Sequence, residues 1–145
     1  MEHMRTSRRA LSAGCVLAIA LATTLIAAPA SSATDASYLN CTIRATEPWL
    51  TGKQHTYDTV NGSGKVFCGT GRSLRLTVRL QEQDRIDPNS WTTVESVTKG
   101  PRTTNSLYAE LNHPCAYRTS TSYRTRVTGR VDGIEITVTS DTTDC

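Results

Sequence analysis

Large apolar side chains are in short supply in this chain, which has one Phe, two Trp and five Tyr among its 145 residues. Such a supply excludes a large hydrophobic core, so a folded domain built from it needs another source of stability. Histidine is equally scarce, and no C-x-x-C pair exists. The spacings of 27, 47 and 30 residues between Cys41, Cys68, Cys115 and Cys145 do not suit a zinc module. No H-E-x-x-H, Walker-type loop or Rossmann glycine fingerprint occurs, which removes the commonest metalloprotease, nucleotide-hydrolysing and dinucleotide-binding classes. Amphipathic helical periodicity is missing throughout. No catalytic constellation stands out either: His55 and Asp58 are three apart, which on a strand puts them on opposite faces. Ser63, between Gly62 and Gly64, lacks the flanks of a nucleophile elbow. The expectation is a protein that is not an enzyme and needs neither cofactor nor metal.

What is present begins with an export signal. Arg5, Arg8 and Arg9 form a basic n-region, and the stretch from Leu11 to Ala28 is almost wholly apolar. Small-residue sites follow at Ala28-Pro29-Ala30 and Ser31-Ser32-Ala33, so residues 1–33 are read as a signal peptide cleaved after Ala30 or Ala33. Residues 34–145 then form one secreted, extracellular domain, with no stable membrane insertion once the signal is removed. Beyond the signal, 13 basic residues balance 12 acidic ones, which gives no general electrostatic reason to bind nucleic acid. Arg outnumbers Lys ten to three there, and Thr is abundant, a composition in keeping with a bacterial protein.

Loss of Cys15 with the signal leaves four cysteines in an oxidising compartment, so two disulfides are expected. Four cysteines allow three connectivities. The C-terminal hairpin narrows them. Asp132-Gly133 is a favoured type I′ turn, and it pairs Val131 with Ile134, Gly129 with Ile136 and Val127 with Val138 on one face. On the other face it sets Arg130 against Glu135, Thr128 against Thr137 and Arg124 against Asp141. The same ladder returns Cys145 to the neighbourhood of residue 120, which favours Cys115–Cys145 and leaves Cys41–Cys68 by elimination.

Period-2 alternation runs through the rest. Leu74, Leu76, Val78 and Leu80 point one way between Ser73 and Gln81, with Arg75, Thr77 and Arg79 opposite. Leu39, Cys41, Ile43 and Ala45 share a face near residue 40. Asn61-Gly62-Ser63-Gly64 reads as a Gly-rich turn between two strands, and Trp91–Thr98 as a strand with a bulge. Seven or eight short strands predict an all-β fold, a small two-sheet antiparallel sandwich with two disulfides, with a small β-barrel as the alternative.

From Ser73 onward the chain resembles bacterial immunoglobulin-like or fibronectin type III-like domains. The resemblance rests on Leu74-Arg75-Leu76-Thr77-Val78-Arg79-Leu80-Gln81, Trp91-Thr92-Thr93-Val94, Tyr123-Arg124-Thr125-Arg126-Val127 and Val131-Asp132-Gly133. It implies binding or spacing more often than catalysis. The expected partner is another extracellular protein, with the chain as adaptor, inhibitor or subunit of an assembly such as an antibacterial toxin particle. A carbohydrate-binding module, with Tyr38, Trp49, Tyr57 and Trp91 stacking on a glycan, is the second reading, and a small secreted hydrolase the third. Candidate binding residues are Trp49, placed in a Pro-Trp-Leu-Thr-Gly segment between strands, Tyr57, and Arg102 in the Lys99–Thr103 loop. Trp91 and Tyr123 are expected in the core.

Overall fold

The computed structural model describes residues 33–53, 56–115 and 120–145, with side chains at all of these except 53 and 56–58. Residues 1–32 of the segment read as an export signal therefore lie outside the described residues, as do His55 and the side chain of Tyr57. The chain forms six strands: β1 (Thr34–Tyr38), β2 (Cys41–Lys53), β3 (Thr56–Gln83), β4 (Trp91–Pro114), β5 (Ser122–Val131) and β6 (Ile134–Asp144). All pair antiparallel in the order β1-β2-β3-β5-β6, with β4 on the other edge of β3. Among the described residues no helix is long and apolar enough to cross a membrane.

One long hairpin organises everything. The first half of β3 pairs with β2, the second half with β5, and β4 follows β3 along both halves. The β3–β4 register breaks between Phe67 and Arg72 and again between Leu74 and Leu76. Gly69 and Gly71 occupy the first break. Gly100 stands at the second, with φ 93°, where a side chain would run into the Leu74 carbonyl. Folded over at this corner, the ribbon brings its two inner faces together. Ile43, Val60 and Val66 then meet Leu76, Val78, Leu80, Tyr123 and Val127, all fully buried. Each buried aliphatic side chain contributes roughly 1.5–3 kcal/mol. At the far side β6 returns to β2, where Thr143 Oγ1 donates to the Pro48 carbonyl at 2.5 Å. The result is a single antiparallel sheet that is nearly barrel-shaped. β3 and β4 run through both layers, so the strands do not divide into two separate sheets.

Asn61–Gly64 is a correction to the sequence reading. The segment is continuous strand, not a turn, and its glycines mark close approach of the two halves. A Cβ on Gly64 would stand 2.5 Å from Val127 Cγ2 and 2.8 Å from Val78 Cγ2, and one on Gly62 would stand 2.8 Å from Thr125 Oγ1. Leu39 also departs from expectation. With Asn40 it makes the β1–β2 turn, both residues having positive φ (47° and 59°), so it is exposed while Cys41, Ile43 and Ala45 are buried.

The C-terminal hairpin keeps its expected register from Val131↔Ile134 to Arg126↔Thr139. Asp132 (φ 48°) and Gly133 (φ 94°) both have the positive φ of a type I′ turn. An irregularity between Arg124 and Arg126 then shifts the ladder, so Arg124 faces Thr142 and not Asp141. Arg130 does stand opposite Glu135, but its Nε donates to the Gly133 carbonyl at 3.0 Å. The bulge in β4 falls at Val94, since Leu80 pairs with Glu95 and Gln81 with Thr93. Both expected disulfides are present. Cys41 and Cys68 are direct register partners, with Cα atoms 3.9 Å apart. Cys115 and Cys145 are 5.7 Å apart at Cα, beside a reciprocal pair of backbone hydrogen bonds between Thr121 and Cys145.

Candidate functional site

Because β3 turns Val60, Gly62, Gly64 and Val66 inward, the residues between them face outward across β2 and β4. Cross-strand register then arranges four rows on one outer face. Phe67 lies opposite Thr42 and Ser106, and Lys65 opposite Arg44 and Tyr108. Ser63 lies opposite Thr46 and Glu110, and Asn61 opposite Trp49 and Asn112. Two aromatic side chains on this face are half exposed, Phe67 at 51% and Tyr108 at 49%. Burying either in the small core would require the opposite parity in its strand, and the neighbouring Val66, Leu107 and Ala109 already fill those positions.

Polar contacts hold the face in place. Arg44 Nε and Nη2 form a bidentate pair with Asp35 at 2.8 and 2.7 Å. That hydrogen-bonded guanidinium holds the Asp35 carboxyl below its ordinary range. Lys65 Nζ sits 5.5 Å from the Phe67 ring centroid, a cation–π distance. Tyr108 OH donates to Glu110 Oε2 at 2.6 Å, and this bond to a carboxylate, with partial burial, raises the phenol's pKa. Asn61 Nδ2 donates to the Trp49 carbonyl at 3.2 Å and to Thr51 Oγ1 at 2.9 Å, tying down the row that carries the indole. Thr42, Arg44, Lys65 and Phe67 line a shallow cleft of about 210 Å³. The arrangement is a surface of rings and cations tied by hydrogen bonds and ion pairing. It suits recognition, since rings and guanidinium groups present large contact area at low ordering cost.

Trp49 therefore belongs to this surface, though by a different route from the one expected. It lies within β2, just past a register shift that follows Thr46, and is half-buried. Arg102 is exposed but stands opposite Leu74 at the folded corner, in the other half of the sheet. The two do not form one site. Nor does the four-ring platform assemble. Tyr38 packs partly buried against the core, and Trp91 starts β4 on the second half. Trp91 is also not a core residue as expected: the Arg124 guanidinium covers its ring at 4.0 Å, and Arg124 Nε is fixed by Gln81 Oε1 at 3.0 Å. Tyr123 is fully buried, as expected.

Phe67 and Tyr108 were missed by sequence reasoning. The available signal was parity: in Lys65-Val66-Phe67-Cys68 the phenylalanine alternates with Val66 and with the disulfide-bonded Cys68. Among catalytic candidates, Ser63 is buried within a strand, and His113 Nδ1 lies 3.3 Å from Glu95 Oε1. No group of three or more His, Cys, Asp or Glu among the described residues could hold a metal ion. Comparison with protein-family models finds no match, and a search of curated proteins finds none either.

Proposed function

We propose that the chain is a secreted, non-catalytic binding domain that docks another extracellular protein through the outer face carrying Phe67, Tyr108, Lys65, Arg44 and Trp49. It would serve as adaptor, inhibitor or subunit of a larger assembly, in the manner of the immunoglobulin-like domains it resembles. The observation that carries this reading is the pair of half-exposed rings on a sheet beside a cation-lined cleft, in a chain whose core is short of rings. A half-exposed ring realises only part of its burial energy in the fold, and aromatic and Arg anchors dominate protein interfaces.

Affinity capture from culture supernatant with the wild-type domain and the Phe67→Ala/Tyr108→Ala double variant tests it. Loss of such an anchor costs about 2 kcal/mol or more, on the order of thirtyfold in affinity. A stoichiometric protein partner retained by wild type and lost by the variant, at unchanged melting temperature, is the expected result. A glycan-array signal that depends on Trp49 and Tyr108 would replace the protein by a carbohydrate, the second reading, which the aromatic surface also suits. Measurable turnover abolished by His113→Ala would overturn the non-catalytic reading.

A further inference from the structure

The second half of the sheet presents a different outer face, made of arginine and threonine. Leu74, Leu76, Val78 and Leu80 are fully buried, so Arg75, Thr77 and Arg79 point outward from β3. Arg126, Thr128 and Arg130 alternate in the same way with Val127, Gly129 and Val131 on β5. Register places Arg75 directly opposite Arg130 and Arg79 directly opposite Arg126, with Thr77 opposite Thr128 between them. Two arginine pairs thus face each other on adjacent strands, at the roughly 5 Å spacing of a cross-strand pair, an arrangement that destabilises a sheet. Among the described residues no ion pair relieves it. Arg75, Arg79 and Arg126 make no hydrogen bond or ion pair with any described residue, and Arg130 donates only to the Gly133 carbonyl. The carboxylates on the flanking β6, Glu135 and Asp141, form no salt bridge among the described residues, and Asp132 at the turn is committed to Arg72. Desolvation and the nearby Arg126 charge also lower the pKa of Arg124 at the end of the row.

We propose that this face binds a linear polyanion, a sulfated or phosphorylated polysaccharide laid along the β3–β5 pair. Its anionic groups would supply the counter-charge the fold withholds. Arg75 and Arg130 flank a cleft of about 210 Å³ that would take one such group, and the Arg79–Arg126 pair lies roughly 13 Å further along the strands for the next. Guanidinium groups suit sulfate and phosphate because their N–H donors bind two oxygens at once. An acidic protein fits less well, since the rows between β4 and β6 carry hydroxyls (Ser96, Thr98, Thr137, Thr139) and no apolar anchor. Single-stranded nucleic acid would want rings for stacking, and of the rings at this end Tyr123 is buried and Trp91 is already covered by Arg124. Of the residues paired in these rows, Glu135 opposite Arg130 is the one carboxylate, so the face is strongly basic although the net charge of the domain is small.

Titration of the full secreted chain with heparin, as a linear sulfated probe, and with dextran phosphate tests the inference. Binding to either supports it, and the tighter one identifies the anionic group. The affinity should fall roughly tenfold or more between about 50 and 200 mM NaCl, as counterion-releasing contacts do. Arg79→Gln/Arg126→Gln should weaken binding at least tenfold while leaving the melting temperature unchanged or higher, because the like-charge pair is gone. A merely structural role would lower it. Arg44→Gln/Lys65→Gln removes the same charge from the other half of the sheet. An equal loss in that variant would reduce the effect to net charge and overturn the inference. So would stronger competition by polyglutamate or duplex DNA than by heparin at equal charge. Failure here leaves the aromatic face untouched, since Phe67→Ala/Tyr108→Ala is read by protein capture alone.

Discussion

Two hydroxyls inside the sheet, those of Thr125 and Tyr123, are buried without a hydrogen-bond partner among the described residues. An unsatisfied buried hydroxyl costs about 1–3 kcal/mol, so Thr125→Val, which keeps the shape and removes the polar atom, should stabilise the domain by about 1 kcal/mol in urea denaturation. The backbone N–H of Thr125, which donates to Ser140 Oγ at 2.9 Å, is unaffected by the change. Gly64→Ala should act oppositely. Its new methyl would lie 2.5 Å from Val127 Cγ2, and relief of such overpacking typically costs about 1–3 kcal/mol. The same denaturation series checks both. Trp91→Ala belongs at this scale too. With the ring at the surface under Arg124, its loss should cost only about 1 kcal/mol, the size of a partly exposed cation–π contact. A loss of several kcal/mol would return Trp91 to the core.

The turns and loops are built as carefully as the strands. In the β5–β6 hairpin the Asp132 carboxylate accepts from the Ser73 N–H at 3.0 Å and from Arg72 Nη1 at 2.9 Å, so the turn is fastened to β3 as well as closed on itself. The other end of the hairpin is held by Cys115–Cys145. Replacing both cysteines with Ser should lower stability by roughly 2–5 kcal/mol, measured by denaturant titration under non-reducing conditions. The β3–β4 loop, residues 84–90, relies on a carboxylate instead. Asp84 Oδ1 accepts from the backbone N–H groups of Ile86 and Asp87 at 2.7 and 3.1 Å, and these bonds hold its pKa below the ordinary 3.8. A depressed carboxylate contributes its stabilisation fully above that ordinary value and loses it as pH falls through the lower folded one. The exchange protection of the Ile86 and Asp87 amides, measured against an unstructured peptide at the same pH, should therefore hold from pH 7 to pH 5 and be lost below 3.8. Ile86 is 96% exposed at the tip, so any loosening will show there first.

At the scale of the molecule, one folded hairpin yields two unlike outer faces on a single sheet. The first half presents rings and paired charges around Phe67 and Tyr108, and the second presents the facing arginines Arg75–Arg130 and Arg79–Arg126 of β3 and β5. Because the two faces lie on different halves of β3 and share no residue, variants on one should not alter binding on the other. Combining Phe67→Ala/Tyr108→Ala with Arg79→Gln/Arg126→Gln should lose protein capture and heparin binding by the same factors as each double variant alone. Additivity within about 0.5 kcal/mol is the expectation for independent sites. A larger departure would make the two faces parts of one surface.

Local chemistry by itself determined much of this protein. The Leu74–Leu80 alternation, the Asp132-Gly133 turn and the hairpin register down to Arg126 follow from pleat periodicity and positive φ, which neighbouring residues carry on their own. The pairing Cys115–Cys145 followed from that register. Only the tertiary structure decided that Gly62 and Gly64 lie inside a strand. A glycine reads the same whether it turns the chain or lets Val127 come close, and Val127 is more than sixty residues away in sequence. The candidate surface was decided there too. Phe67, Tyr108 and Trp49 come from three strands, and each is an ordinary aromatic in its own segment. Their common face exists because β2, β3 and β4 pair in one register, a long-range hydrogen-bonding choice that no single stretch of sequence encodes.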